Sequence, residues 1–343
     1  MQERNFGYIF IVSASVIVIL AGIKSASEIV VPFLLSLFIA IILSPSYNYF
    51  NKKGLPNVLS LTLVMSLFVI LLLLVAKLIG SSVQEFSSNI SVYEQQLSSS
   101  FDKLFEIFMN MGFELPKSEL LSIIDPKQIM QLSSGIVQGI GSMFTNGFVI
   151  LLSVIFMLLE SQHFTDKVAF ASGNRGMKED IQEIVGKIKR YMVLKAIISL
   201  FTAFVIYVAL LIIGTDYAFL WAVLAFMLNF IPNIGSIIAA IPVVLLTLVQ
   251  LGSLSAFMVS VLYIIVNVVI GSVIEPKVMG KGLGLSTLVV FLSLIFWGWL
   301  LGIVGMLLSI PLTMMAKIVF DSNKETKFIA VLLGTADNLV EKK

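Results

Sequence analysis

The 343-residue chain contains no cysteine and a single histidine, His163. The first absence excludes disulfides and thiol chemistry and leaves the redox compartment open. The second removes most histidine-based catalysis and metal binding, so neither cofactor nor metal is expected. Charge is scarce too: Asp, Glu, Lys and Arg make up 12% of residues, about half the share of a soluble domain. The net charge of +2 gives no ground for a nucleic-acid partner. Enzyme signatures fail as well. Gly280-Lys281-Gly282-Leu283-Gly284 has the wrong spacing for a phosphate loop, and neither His-Glu-x-x-His nor Gly-x-Ser-x-Gly occurs. An enzyme is not expected.

What the chain has instead is apolar residues, 58% of the total, with a mean hydropathy of +1.04. Crossing a bilayer takes roughly 20 helical residues, because every backbone polar group must be satisfied within the segment. Six runs meet that length: 6–23, 29–47, 58–79, 140–159, 196–213 and 255–274. The first, read as a retained span rather than a cleaved signal, is followed almost at once by the second. The expected fold is an all-α polytopic membrane protein. Residues 1–79 form its N-terminal transmembrane helices and 140–343 its core, which includes a cytoplasmic helix over 160–195.

Between them, residues 80–139 are poorer in apolar runs and rich in serine. Ile90, Tyr93, Leu97, Phe101, Leu104 and Phe108 recur at steps of three and four, one stripe of a helix. Gly112 and Pro116 break it, and Asp125-Pro126 reads as an N-cap with proline at the first helical position. The helix begun there is expected to run unbroken into the membrane near Gly141. This region is expected to be a small extramembrane helical insertion whose stripe packs on itself or on a sister subunit. His163, beside Glu160 and Asp166, reads as a solvated loop residue.

Orientation follows from charge. With the N-terminus cytoplasmic, the inner regions carry 17 of the 22 Lys and Arg residues, leaving Lys24, Lys77, Lys103, Lys117 and Lys127 outside. Cytoplasmic loops favour Lys and Arg, so both termini are expected inside.

Two apolar stretches are not ordinary spans. Ala218–Ile231 and Ser236–Leu251 flank Pro232-Asn233-Ile234-Gly235, and each half is about 22 Å of helix, too short to cross. The stretch 286–320 is interrupted by Gly298, Gly302, Gly305 and Pro311. The favoured reading is two re-entrant hairpins, 218–251 and 286–320, inverted by the single span between them, with their tips near the midplane. Such broken helices expose carbonyls and helix termini to a solute or ion and point to a transport site. The alternative is two kinked helix pairs, with Gly298-x-x-x-Gly302 as a packing motif.

Polar residues within the membrane are costly and are the candidates for function. They are Asn229 and Asn233 beside the first break, with Pro232 and Gly235, and Glu275, Pro276 and Lys277 at the inner end of a span. Gly298, Gly302 and Gly305 complete the set. Glu275 could bind a cation or proton, or latch a cytoplasmic gate through Lys277 or Lys281. Asn267 reads as helix–helix glue and Asp216 as an N-cap.

Phe230-Ile231-Pro232-Asn233-Ile234-Gly235 with Pro242, Glu275-Pro276-Lys277-Val278-Met279-Gly280 with Leu285-Ser286, and Phe296-Trp297-Gly298-Trp299 through Gly302 and Gly305 to Pro311 occur in order. Together they resemble the autoinducer-2 exporter (AI-2E) family of membrane transporters. The resemblance implies a multi-pass permease of the bacterial cytoplasmic membrane that assembles as a homo-oligomer, a pentamer being one size in view. It implies export of autoinducer-2 or another small polar solute, or monovalent cation/proton antiport. A non-transporting scaffold or receptor that uses residues 80–139 as its contact surface is the reading from a different class.

Overall fold

The computed structural model describes residues 3–110, 126–145, 147–161, 167, 175–232, 234–279, 284–322 and 325–334. All described secondary structure is helical. In chain order the helices are α1 (Glu3–Ser25), α2 (Ser27–Lys52), α3 (Asn57–Asn110), α4 (Pro126–Thr145), α5 (Gly147–Glu160) and α6 (Arg175–Ile213). There follow α7 (Ala218–Leu228), α8 (Gly235–Leu251), α9 (Ser253–Met279), α10 (Thr287–Leu307), α11 (Ser309–Ser322) and α12 (Lys327–Leu332). Five segments are long and apolar enough to cross a membrane: Ser27–Lys52, Asn57–Asp102, Val185–Ile213, Ser253–Met279 and Thr287–Leu307.

The surface explains the composition. Phe10, Ile17, Leu67, Leu73, Phe148, Ile212 and Leu254 are each at least 65% exposed. A water-soluble monomer does not present apolar patches of this extent. Here they form the surface that lipid covers, while serines and threonines such as Ser36, Ser60, Ser199 and Thr247 are wholly buried. Small polar residues let helices approach closely and return their hydroxyl bonds to the helix itself. Ser36 does both: its Oγ donates to the Pro32 carbonyl at 2.6 Å and lies 3.3 Å from the Ile150 carbonyl of α5.

The helices form two compact units. One comprises residues 1–64, 148–193 and 281–343, the other 65–147 and 194–280. In the first unit α1, α2 and α10 pack on one another, and α11 packs on α10 and α12. In the second, α8 packs on α7, on α9 and on α4.

The run 140–159 is covered by α4 as far as Thr145 and by α5 from Gly147, with position 146 outside the described residues. The helix that carries the third span does not stop at 79. α3 continues to Asn110, 54 residues and about 81 Å, because nothing from Leu78 to Asn110 breaks a helix more strongly than one glycine, Gly80. Its stripe packs within the second unit against the start of α7, not on the insertion alone as expected. Phe86 is 1% exposed, Leu97 fully buried, and the Phe86 ring meets Tyr93 (5.8 Å), Tyr217 (6.2 Å) and Trp221 (5.6 Å). Leu104 and Phe108 belong to the same helix. Gly112, Pro116, Asp125, His163, Asp166, Asn233, Gly280 and Lys281 lie outside the described residues.

Candidate functional site

The second unit holds the first interrupted stretch as a closed hairpin. α7 has 11 residues and α8 has 17, about 16 and 25 Å, both short of the bilayer core. Their outer ends are tied together. The Gln250 amide donates to Asp216 Oδ2 at 2.7 Å and accepts from the Asp216 backbone N–H at 3.3 Å, while the Thr215 and Thr247 hydroxyls meet at 3.2 Å. Asp216 is therefore a strap, not the expected N-cap. The residue before α7 is Tyr217, held in the left-handed region (φ 57°) with its hydroxyl 3.2 Å from that of Tyr93. Burial, then the hydrogen bond with Tyr93, pushes the Tyr217 phenol up.

At the tip, α7 stops at Leu228 and the chain turns through Asn229 and Pro232 before α8 starts at Gly235. A Cβ on Gly235 would collide with the Leu228 backbone carbonyl. Glycine is what permits the two limbs to meet there. Asn229 is fixed by its Nδ2 donating to Ser199 Oγ of α6 at 2.9 Å.

Facing this tip, α9 changes geometry. Asn267–Ile274 is a π-helix, followed by α-helix from Glu275 to Met279. A π-turn shifts every later side chain relative to an uninterrupted α-helix and recurs at functional sites. Glu275 thus lies inside a helix, not at its end. Its partner among the described residues is not Lys277, which is exposed: Lys195 Nζ of α6 donates to Glu275 Oε1 at 2.5 Å. Lys195 is 2% exposed and the Glu275 side chain 19%. Lys195 was not among the residues singled out from sequence, although Lys195, Ser199 and Thr202 step along one face of an apolar helix. Asn267 opens the π-helix, and its Oδ1 lies back over Gly271. Pro276 is exposed beside Glu275.

Below the tip, Thr202, Asn229, Ser236, Tyr263, Asn267 and Gly271 line a recess of about 10 Å³. At the strapped end, Asn89, Tyr93, Gln96, Asp216 and Gln250 line an open cleft of about 420 Å³.

The first unit holds the second interrupted stretch, again closed at its ends: Lys317 Nζ donates to the Gly284 carbonyl, and the Ser286 N–H to the Leu333 carbonyl at 3.2 Å. α10 is two helical pieces meeting at a kink: its backbone leaves helical geometry at Gly302 (φ 68°, ψ −151°), a conformation that favours glycine. A Cβ on Gly305 would strike the Trp297 carbonyl, the same device as at Gly235. Trp297 Nε1 donates to Thr313 Oγ1 of α11 at 3.0 Å, so the two limbs are pinned across the break. Gly298 faces the Met306 side chain.

Residues 13–324 match the pattern described as AI-2E family transporter. The chain belongs to the AI-2E transporter family. Among its relatives is the AI-2 transport protein TqsA of Escherichia coli (strain K12), 40% identical over 328 residues and 95% of each chain. A Haemophilus influenzae transport protein is 43% identical over 336 residues, again 95% of each. The E. coli (strain K12) transport protein YhhT is 35% identical over 333 residues, 97% of this chain and 95% of YhhT. As an AI-2E family member the protein is a transporter, a multi-pass protein of the bacterial inner membrane. Every candidate glycine, proline and asparagine lies within the matched range.

Proposed function

We propose that the protein exports a small polar solute of the AI-2 type by alternating access, using its two hairpins as re-entrant elements. The observation that carries this reading is that each compact unit contains one hairpin with its ends tied and its tip broken over a glycine. A tied hairpin returns to the side it entered from, which is what a re-entrant element requires. The 40% identity to TqsA along almost the whole chain supports AI-2 as the first solute to test. The residues assigned to the path are Asn229, Pro232, Asn233, Gly235, Glu275, Pro276 and Lys277, with Gly298, Gly302 and Gly305 shaping the second hairpin. Both termini are cytoplasmic and the working form is a homo-oligomer in this reading. The buried Lys195–Glu275 pair favours a second reading, monovalent cation/proton antiport, in which a proton or cation competes with Lys195 for the carboxylate.

Flux in sealed proteoliposomes decides between them. Accumulated AI-2 should leave vesicles holding the protein faster than empty ones, whereas the antiporter reading expects sodium- or lithium-driven proton movement and no AI-2 flux. Absence of both would refute transport of either kind.

Orientation is tested with single cysteines, free of background because the chain has none. Ser99→Cys should react with a membrane-impermeant maleimide on intact cells, and Ser161→Cys only after permeabilisation. The reverse pattern overturns the assignment.

A further inference from the structure

The recess beside the π-helix has a polar group that the fold does not use. Tyr263 is 4% exposed, lines the recess, and its hydroxyl has no hydrogen-bond partner among the described residues. Burying an unpaired hydroxyl is costly, so such a group marks either strain or an absent ligand. A second feature points into the same space. α8 starts at Gly235 with no side-chain cap, and Ser236 of its first turn lines the recess. A helix N-terminus carries unpaired N–H groups and positive partial charge, which suit an incoming oxygen lone pair. The other polar lining groups are the neutral side chains of Thr202, Asn229 and Asn267.

These features select the ligand. Among the described residues no charged side chain lines the recess, and Lys195 and Glu275 neutralise one another. A bare cation would meet the positive end of α8 without a carboxylate, and an anion would meet no lysine or arginine. At about 10 Å³ the recess admits one water-sized group. We propose that this recess is the subsite for a single hydroxyl or carbonyl oxygen of a small, uncharged, polyhydroxylated solute, with Tyr263 as the donor that recognises it. This rests on the transport reading of the same hairpin. It adds the substrate class and the recognising atom, neither of which the α7–α8 tip alone specifies.

The test uses full-length protein in detergent and in proteoliposomes. Probes are glycerol, erythritol and D-ribose, with sodium chloride, lithium chloride and sodium lactate as charged arms, and AI-2 for efflux. At least one polyol should raise the unfolding temperature of the wild type, with no stabilisation by the salts beyond an ionic-strength control. Tyr263→Phe should unfold at the wild-type temperature or above in the absence of probe, because the hydroxyl it removes bonds to none of the described residues. It should bind the stabilising polyol roughly tenfold more weakly, the loss of one hydrogen bond, and show reduced AI-2 efflux. Tyr207→Phe, in the same unit and not among the residues that line the recess, should change neither. Stabilisation by sodium or lithium that Tyr263→Phe abolishes would make the recess a cation site and overturn the proposal. Unchanged polyol binding and efflux in Tyr263→Phe would leave only a structural water there, and would overturn the subsite while the transport reading stands. A wild type that moves no AI-2 refutes the transport reading, and the subsite with it.

Discussion

Replacing Lys195 by methionine should destabilise the protein by about 3–5 kcal/mol, because it leaves the Glu275 carboxylate without its partner in a largely buried site. The size of the effect comes from the orphaned charge, not from the value of the pair. Two ions taken out of water nearly cancel their own attraction in desolvation cost, whereas one ion alone keeps the cost and loses the attraction. The double variant Lys195→Met/Glu275→Gln should therefore recover most of the lost stability. It should not recover transport if the pair is a gate that must open and close. Unfolding in sodium dodecyl sulfate followed by circular dichroism, with AI-2 efflux on the same preparations, reads both quantities. A single Lys195→Met variant as stable as wild type would show that Glu275 is solvated or paired elsewhere, and would remove the gate. Glu275→Gln alone, which nearly preserves shape, should express and assemble while efflux falls.

That pair also shows where reading the sequence stops. Both residues are visible as charges at the margins of apolar runs, but 80 positions separate them. Glu275 was found through its place beside Pro276 at the end of a span. Lys195 was passed over because it sits one residue before the run 196–213, and periodicity assigns no partner across helices. The π-helix was equally hidden. Asn267–Ile274 contains Gly271-Ser272, but hydrophobic periodicity does not tell a π-turn from the α-helix around it. What the sequence did carry were the breakers themselves. Pro232-Asn233-Ile234-Gly235 and Gly298 to Gly305 place both tips, because proline and glycine act on the backbone directly. The ends of the hairpins were legible only as lengths too short to span. Their closure by Asp216–Gln250 and Lys317–Gly284 is tertiary. The third helix was cut short for the opposite reason, since a fall in hydropathy after Gly80 does not by itself end a helix.

The glycines at the two tips should respond to substitution in an order fixed by what lies where a Cβ would go. At Gly235 the obstacle is the Leu228 carbonyl and at Gly305 the Trp297 carbonyl, both backbone and both unable to rotate aside. Gly235→Ala and Gly305→Ala should each force the limbs apart, costing about 1–3 kcal/mol as overpacked sites do. Efflux should fall more than stability, because the tip is where the path narrows in the proposed mechanism. Gly298→Ala meets only the Met306 side chain, a flexible neighbour that can swing away, so a small loss of stability is expected. Gly302→Ala meets no atom within 4 Å and yet should be damaging, since its φ of 68° is a conformation that alanine rarely adopts. Gly186, an exposed position in α6 with open space around it, supplies the control: alanine there should be neutral or stabilising by about 0.5–1 kcal/mol. Five alanine variants assayed side by side for unfolding midpoint and AI-2 efflux give the ranking. If Gly235→Ala and Gly305→Ala behave like Gly186→Ala, the limbs do not close on glycine and the hairpin tips are not the constriction.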